Sequence, residues 1–211
     1  MDTHARTLLT DGLAQLRIDA DGVAVDRLCA LAALVVEWNT RFNLTAITEP
    51  VAMVRKHLLD SLTVQPYLRG TRVLDVGTGA GFPGLPLAVL NPELSFQLVD
   101  SVKKKIGFVA HAVSELGLTN VEAICSRAET LRLPERAHTV VSRALSSVGE
   151  FVQHAGHLAT ANGILLAMKG RDPSTECVDL PPPWRVVALE RLTVPGLPDE
   201  RHLVVLKRAR L

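Results

Sequence analysis

Residues 73–84 read Val-Leu-Asp-Val-Gly-Thr-Gly-Ala-Gly-Phe-Pro-Gly, an apolar strand with one embedded acid that runs directly into a glycine-rich turn. Glycines in such a turn let a ligand approach the backbone closely, because no Cβ stands in the way. The embedded acid, Asp75, is placed either to orient the turn or to bind the amino group of a ligand. The stretch therefore predicts an α/β sheet with a ligand site at the end of its first strand.

The glycines leave two classes of ligand open. Gly79, Gly81 and Gly84 fit the G-x-G-x-x-G fingerprint of dinucleotide folds, in which a helix starts promptly and meets a pyrophosphate with its amides. Here Pro83 and Pro86 are expected to delay that helix. An acid in the strand followed by G-x-G-x-G is typical of class I methyltransferases, which bind S-adenosylmethionine. The turn favours this cofactor, and a nucleotide-dependent oxidoreductase is the rival.

From residue 71 onward, strands alternate with helices, which is the pattern of a parallel sheet. Strands are predicted at 72–76, 95–100, 121–125, 138–142, 163–168, 184–192 and 202–208, and helices at 84–90, 102–117 and 146–161. The last two strands flank a turn too short for a parallel crossover, so they form an antiparallel hairpin. The prediction is a Rossmann-like class I methyltransferase fold: a seven-stranded, mostly parallel sheet closed by that hairpin.

The first 65 residues have helical rather than strand periodicity. Apolar side chains recur at helical spacing from Val23 to Phe42, and a second amphipathic helix is predicted at 51–62, with its start marked by Pro50. We expect an N-terminal helical cap over residues 1–65 and a methyltransferase domain over residues 66–211. The two are expected to form one compact unit.

Composition narrows the class of protein further. The longest apolar run, residues 28–36, is about half of a bilayer span. The N-terminus lacks a basic region followed by an apolar one, so we expect a cytoplasmic protein with no membrane contact. The three cysteines lack C-x-x-C spacing, and the seven histidines show no ligand spacing. No metal site is therefore expected.

Candidate site residues lie at or just past the carboxyl ends of four predicted strands, which meet at one edge of the sheet. Asp100 lies about 20 residues past the glycines, where a carboxylate accepts ribose hydroxyls or caps the next helix. Ala128 and Glu129 follow the third strand, either bordering an adenine ring or forming a capped turn. Arg143 and Lys169 follow the fourth and fifth strands, either facing one cleft as catalytic cations or lying on its rim.

The absence of certain motifs narrows the choice of the atom that accepts the methyl group. The segment after the fourth strand, Ser-Arg-Ala-Leu-Ser, offers no Asp/Asn-Pro-Pro-aromatic motif for an adenine amine. Transfer to pyrimidine C5 needs a nucleophilic cysteine, and Cys125, inside the third strand, is expected to be buried. A ring nitrogen with a free lone pair, such as guanine N7, needs only alignment and electrostatics. The lack of an obvious base favours that substrate.

The chain resembles the glucose-inhibited division protein B family, the bacterial ribosomal small-subunit guanine-N7 methyltransferases. The resemblance extends from about residue 20 to the end. It implies methyl transfer from S-adenosylmethionine, leaving S-adenosylhomocysteine, to N7 of a guanine in the decoding region of 16S ribosomal RNA. The motifs that carry it are Trp38-Asn-Thr-Arg-Phe-Asn-Leu-Thr-Ala-Ile, His57-Leu-Leu-Asp-Ser-Leu, the glycine motif from Asp75 to Pro86, Asp100-Ser-Val-Lys-Lys-Lys, Ser126-Arg-Ala-Glu, Ser142-Arg-Ala and Lys169-Gly.

By the same resemblance, individual residues receive roles. The implied cofactor residues are Gly77, Phe82, Ala128, Glu129 and Arg143, to which the residue-level argument adds Asp75, Gly79 and Asp100. Those implied to face RNA are Lys103, Lys104, Lys169 and Arg201. The polar residues of the N-terminal block are predicted to cap and pack its helices, with RNA contact as the alternative: Asn39, Arg41, Asn43, His57 and Asp60.

Charge distribution is compatible with an RNA partner without requiring one. The net charge is +1, yet residues 101–143 hold seven Lys/Arg against four Asp/Glu, and residues 201–211 hold four against none. Such clusters are typical of proteins that bind nucleic acid, although a solvated helix start explains any one of them equally well. We expect a monomer acting on free RNA or on the assembled subunit. A non-catalytic RNA-binding assembly factor is the second rival.

Overall fold

The computed structural model describes residues 2–143 and 147–209, so Ala144 of the Ser142-Arg-Ala motif lies outside the described residues. The helices are α1 (Thr3–Gln15), α2 (Gly22–Phe42), α3 (Pro50–Met53), α4 (Asp60–Leu62), α5 (Gly84–Leu90), α6 (Lys103–Glu115) and α7 (Val148–Ala155). The strands are β1 (Arg72–Val76), β2 (Ser95–Asp100), β3 (Val121–Cys125), β4 (Ala137–Ser142), β5 (Ala159–Lys169), β6 (Trp184–Arg191) and β7 (His202–Arg208).

The seven strands form one sheet in the order β3-β2-β1-β4-β5-β7-β6. Strands β1 to β5 run parallel, and β7 pairs antiparallel with both β5 and β6. This confirms the class I methyltransferase fold and excludes the dinucleotide order, which would continue strand–helix–strand. The strand order reverses between β1 and β4, and ligands bind outside the carboxyl ends of strands at such a switch point.

The two faces of the sheet bury separate apolar cores. One core joins the N-terminal helices to α5, α6 and the sheet, with Leu9, Leu28, Leu59, Phe96 and Phe108 fully or almost fully buried in it. The other lies beneath α7. The N-terminal helices therefore share a core with the strands that carry the glycine turn.

The second predicted N-terminal helix is not uniform. Between α3 and α4 the chain forms π-helical turns over Val54–Leu59. A π-helical stretch widens the helix, and such stretches occur often at functional sites. No helix in the described part of the chain is long and apolar enough to cross a bilayer.

The helix predicted at 146–161 was wrong at its carboxyl end. Helix α7 stops at Ala155, and a 3-10 turn (Gly156–Leu158) leads into β5, which starts at Ala159, because Ala159 pairs with Ala137 of β4. At Gly156 the chain passes the indole of Trp184, where a Cβ would lie 2.7 Å from Nε1. Contacts distant in sequence thus override the local helical pattern.

Candidate active site

The carboxyl ends of β1, β2 and β3 enclose a first cleft of about 270 Å³. Of the residues that the sequence singled out for the cofactor, Gly77, Asp100, Ala128 and Glu129 line this cleft, whereas Asp75, Gly79, Phe82 and Arg143 do not. The cleft is lined by Val76, Gly77, Val99, Asp100, Ser101, Val102, Lys105, Ser126, Arg127, Ala128, Glu129 and His154.

The glycine turn adopts a backbone that favours glycine. Gly77 and Gly79 have φ of 72° and 61°, in the left-handed region. A Cβ on Gly81 would lie 2.2 Å from Leu85 Cδ1, whereas one on Gly79 would meet nothing within 4 Å. The turn therefore packs closely on the protein side and leaves open space at Gly79. Helix α5 begins only at Gly84, which agrees with the expected delay.

Asp75 holds this turn from beneath. Its side chain is fully buried, and Oδ2 accepts hydrogen bonds from Thr78 Oγ1 at 2.7 Å and from the Gly84 N–H at 2.8 Å. Burial raises the pKa of Asp75 to about 6. These contacts show that Asp75 orients the turn, the first of its two predicted roles. A contact between Asp75 and the amino group of the cofactor stays a prediction, since Asp75 does not line the first cleft.

Asp100 connects the glycine turn to the start of α6. Its Oδ2 accepts from the Gly79 N–H at 3.0 Å and its Oδ1 from the Val102 N–H at 2.9 Å, while Lys105 Nζ lies 3.6 Å from Oδ2. The carboxylate thus orders the backbone before α6 and also lines the first cleft. Each oxygen retains a lone pair, so the ribose contact stays compatible with these bonds.

Ala128 and Glu129 form a 3-10 turn after β3 (Ala128–Thr130) and line the first cleft opposite the glycine turn. Glu129 Oε1 lies 3.4 Å from His154 Nδ1 on α7, which ties this wall to the helix. The position agrees with a wall for the adenine ring. That role stays a prediction.

A second cleft of about 310 Å³ opens at the same edge, beside the ends of β4 and β5 and the start of β7. Residues 47–60 of the N-terminal block form its far wall. Its lining consists of Ile47, Lys56, His57, Asp60, Arg143, Met168, Lys169, Gly170, Leu192, Arg201 and His202.

Arg143 connects the sheet to the N-terminal helices. Its Nη1 donates to the Lys56 carbonyl and to Asp60 Oδ2, both at 3.1 Å, and its Nη2 to His57 Nδ1 at 3.1 Å. The other oxygen of Asp60 accepts from Arg201 Nε at 2.9 Å, and the Asp60 side chain is only 4% exposed. One buried carboxylate therefore holds two arginines. Neither arginine is an unpaired charge on the rim of the cleft.

His57 lies between these polar groups and the glycine turn. Since a guanidinium can only donate, Nδ1 accepts from Arg143, and Nε2 then carries the proton that Thr45 Oγ1 accepts at 2.9 Å. Burial, with the nearby Arg143 charge, lowers the pKa of His57 to about 3, so the ring is neutral. The ring of Phe82 stacks on it, with centroids 4.6 Å apart. Phe82 is thus buried outside the first cleft, and its cofactor contact stays a prediction.

The remaining predicted cations differ in exposure. Lys169 Nζ lies 2.9 Å from Glu176 Oε2, and it lines the second cleft. Lys103 and Lys104 are exposed on the first turn of α6, with no ion pair to any described residue. Arg201 donates from Nε to Asp60, so its predicted contact with RNA would have to use other N–H groups of its guanidinium.

Three functional candidates were underestimated or missed from sequence. His57 and Asp60 were interpreted as capping and packing residues, and His202 was not singled out. The spacing His57-x-x-Asp60 within an amphipathic helix was an available signal, because polar residues three apart share one face. The signal for His202 was weaker, since a histidine at the start of a strand has no distinctive pattern.

One prediction about reactive groups was wrong. Cys125 is exposed rather than buried: it is the last residue of β3, an edge strand in which every side chain is exposed or only half-buried. Cys125 does not line either cleft. The argument against pyrimidine C5 transfer therefore holds for a different reason, namely the position of the thiol.

Comparison with known proteins agrees with this geometry. Residues 25–204 match the family described as "GidB: rRNA small subunit methyltransferase G". A protein named ribosomal RNA small subunit methyltransferase G from Azoarcus sp. (strain BH72) is 46% identical over 201 residues, 95% of each chain. A protein of the same name from Shewanella amazonensis is 41% identical over 201 residues, 95% of this chain and 98% of that one.

Solved structures with the same fold include distant methyltransferases. The O-methyltransferase TomG from Streptomyces achromogenes, in complex with S-adenosylmethionine, matches with a TM-score of 0.60 at 14% identity over 94% of both chains. TrmN from Thermus thermophilus matches with a TM-score of 0.58 at 20% identity, over 81% of this chain and 53% of that one. At these identities the structures show the fold alone.

Proposed function

The chain belongs to the rRNA small subunit methyltransferase G family, and from that premise we propose that it transfers the methyl group of S-adenosylmethionine to N7 of a guanine in the decoding region of 16S ribosomal RNA. The observation that carries the proposal is the first cleft. Gly77 of the ordered glycine turn and the Asp100 carboxylate line it, and Asp100 binds the N–H of Gly79, where the turn leaves open space.

The residues present fit S-adenosylmethionine. In the first cleft, backbone at Gly77 would border its methionine part, Asp100 would accept the ribose hydroxyls, and Ala128 with Glu129 would border the adenine. Gly79, two residues further along the turn, would leave room for the same part of the cofactor. When bound, the cofactor supplies a methyl group on a positively charged sulfur. The antiparallel hairpin β6–β7 and the delayed start of α5 both disfavour the rival oxidoreductase.

The chain's own residues would position and stabilise the acceptor base, and none of them would abstract a proton. Guanine N7 already has a free lone pair, so alignment of the base with the methyl group is the main requirement. We propose that Arg143 and Lys169, which line the second cleft, hold the acceptor nucleotide there. The Asp60 carboxylate fixes the Arg143 guanidinium and limits the positive charge of the cleft.

We infer that the partner is 16S ribosomal RNA, bound by a monomer in the cytoplasm. The exposed pair Lys103 and Lys104, beside the first cleft, would contact phosphates, and Arg201 would do so at the second. Whether the enzyme acts on free RNA or on the assembled subunit is decided by offering both as substrates.

The test is a methyl-transfer assay on RNA from a strain that lacks the gene. With labelled S-adenosylmethionine, the protein should place one methyl group on 16S RNA, and borohydride–aniline cleavage should map it as 7-methylguanine. RNA from the parent strain, already modified, is the control. Tight RNA binding without any transfer would favour the non-catalytic assembly factor instead.

A substitution at Gly79 tests the cofactor site by itself. Gly79→Val should abolish binding of S-adenosylmethionine, because the side chain would fill the open space of the turn, and calorimetric titration measures this. Gly117→Val is the matched control, since Gly117 has nearly the same φ, +60°, and lies beyond the carboxyl end of α6, away from the glycine turn. Equal cofactor affinity in the two folded variants would rule out the turn as the site.

A further inference from the structure

We propose that Asn39 and Thr45 are positioning residues for methyl transfer, which act on Arg143 through a chain of hydrogen bonds that includes His57. The inference rests on the proposed function, in which Arg143 holds the acceptor nucleotide. It gives a role to the motif at residues 38–47, whose polar side chains the sequence left between helix packing and RNA contact.

The chain turns back on itself where α2 ends. Asn43 has φ of 48°, a left-handed conformation that asparagine tolerates, and its N–H donates to the Asn39 carbonyl at 3.3 Å. This turn returns the chain to α2, where the N–H of Thr45 donates to Asn39 Oδ1 at 2.8 Å. Asn39 therefore binds the turn at two points and fixes Thr45 relative to the helix.

The hydroxyl of Thr45 is held as an acceptor for His57. Its Oγ1 accepts from the Ile47 N–H at 3.1 Å and lies 2.9 Å from His57 Nε2. A hydroxyl oxygen has two lone pairs, so one is left for the Nε2 proton that the Arg143 contact requires. The Thr45 contact thereby favours the His57 tautomer that carries its proton on Nε2 and leaves Nδ1 as an acceptor.

The orientation of Arg143 depends on that tautomer. Its Nη1 is fixed by the Lys56 carbonyl and Asp60, whereas its Nη2 donates to His57 Nδ1 at 3.1 Å. With the proton on Nδ1 instead, two N–H groups would face each other, and Arg143 would lose this bond. Loss of the Thr45 acceptor would leave the Nε2 proton unpaired in a residue that is only 7% exposed, which favours the wrong tautomer.

Asn39 and Thr45 act at a distance from the reacting groups, since neither lines the first or the second cleft. If their bonds only packed the N-terminal block on the sheet, losing them would lower stability and leave turnover intact. A positioning chain also sets the plane of the Arg143 guanidinium, and methyl transfer depends on the alignment of the acceptor. Turnover and the state of Arg143 therefore distinguish the two roles.

Substitution of Thr45 is the first test. Thr45→Val keeps the shape of the side chain and removes the acceptor, so kcat at saturating RNA and cofactor should fall about tenfold, the usual value of one buried hydrogen bond. The KM for 16S RNA and the affinity for S-adenosylmethionine should not change. Thr45→Ser, which restores the hydroxyl, should recover most of kcat, and Thr40→Val, at an exposed position on α2, should match the parent. Parental kcat in Thr45→Val, or no recovery in Thr45→Ser, would overturn the inference.

Further variants test the two ends of the chain. Asn39→Leu should lower kcat in the same way, and Asn39→Asp, which keeps an accepting oxygen, should restore it. In an Arg143→Lys background, Thr45→Val should cost no further activity, since lysine lacks the second nitrogen that His57 holds. Losses that multiply in the double variant would show that Thr45 acts by a route other than Arg143.

A measurement without turnover keeps this inference separate from the proposed function. In NMR spectra of the whole protein, the ring nitrogens of His57 should show the Nε2–H tautomer, and the Nη2–H signals of Arg143 should be resolved. In Thr45→Val the ring signals should shift, and the Arg143 signals should be lost to faster rotation. Signals of both residues that match those of the parent would refute the positioning chain even if the protein methylates RNA. A protein that transfers no methyl group refutes the proposed function alone, and these spectra then still decide the chain.

Discussion

Arg143 joins two parts of the chain that are far apart in sequence. It bonds to the Lys56 carbonyl, His57 and Asp60 and lies over the ring of Phe82, with its side chain only 24% exposed. Residues that hold substrate commonly have supporting partners of this kind, which fix their orientation. Substitution should therefore affect both stability and turnover.

Arg143→Ala should lower the free energy of unfolding by about 2–3 kcal/mol, because Asp60 keeps only Arg201 as a cationic partner. Methyl transfer should fall strongly at cofactor and RNA concentrations that saturate the parent. Arg143→Lys is the control, since it keeps the charge but loses the forked donors. Denaturant unfolding and the transfer assay measure the two effects. Full turnover in Arg143→Ala with only the stability reduced would make Arg143 structural.

His57 should make stability depend on pH. Its pKa is lowered from 6.5 to about 3 on folding, so the unfolded chain takes up a proton first as pH falls. This stability contribution is present above pH 6.5 and is lost as pH falls toward 3, with about 2 kcal/mol gone by pH 5. Asp75 acts in the opposite sense: its pKa is raised to about 6, so its contribution is lost as pH rises through that value.

The variant His57→Gln isolates the histidine effect from that of Asp75. When the pH is lowered from 8 to 5, the free energy of unfolding of the parent should fall by about 2 kcal/mol more than that of the variant. Denaturant unfolding at both pH values measures it, and the parent supplies the Asp75 contribution. Parallel pH profiles for the two proteins would show that His57 is not buried in its neutral form.

Among the secondary-structure elements, the strands were the most predictable. The boundaries of β1, β2 and β3 match the sequence prediction residue for residue, because short apolar runs between turn residues leave little choice. The π-helical turns of Val54–Leu59 were not predictable, since they share the periodicity of an ordinary amphipathic helix. The Arg143–Asp60 pair spans 83 positions, and no local pattern encodes such a contact. The sequence therefore predicted that Arg143 and Lys169 face one cleft, but it did not predict that residues 47–60 form the far wall of that cleft.

Helix α6 carries a prediction about RNA. Lys103 and Lys104 stand exposed on its first turn, where a cation opposes the helix dipole, so they are not explained by stability. Lys103→Ala/Lys104→Ala should weaken RNA binding and flatten the slope of log affinity against log salt by up to about two units. Affinity for S-adenosylmethionine should barely change.

A matched double variant controls for the loss of two charges. Arg136→Ala/Arg185→Ala removes two exposed cations near the starts of β4 and β6, at the opposite edge of the sheet. Its salt slope should equal that of the parent. If the α6 variant also keeps the parental slope, the lysine run is only a solvated surface.

At the scale of the whole molecule, the helical block and the sheet are joined in two ways. Among residues 2–65, the described part of this block, fifteen buried apolar residues belong to the same core as β1, β2 and α6. Arg143 and Arg201, from the sheet side, both bind Asp60 of α4. We therefore propose that residues 1–65 are a cap that cannot be separated from residues 66–211.

Deleting residues 1–65 should leave a chain that does not fold cooperatively. The apolar burial lost is on the order of tens of kcal/mol, which exceeds the roughly 5–15 kcal/mol by which a domain is usually stable. The second cleft would lose its far wall, and Arg143 its three polar partners. Calorimetric unfolding and dye binding to exposed apolar surface measure the outcome for residues 66–211 against the full chain. A shorter deletion, of residues 1–20, removes only α1 and should retain a cooperative transition at a lower temperature, since α2 and the π-helical turns remain in the core. A fragment 66–211 that unfolds cooperatively and still binds S-adenosylmethionine would show instead that the helical block is an independent domain.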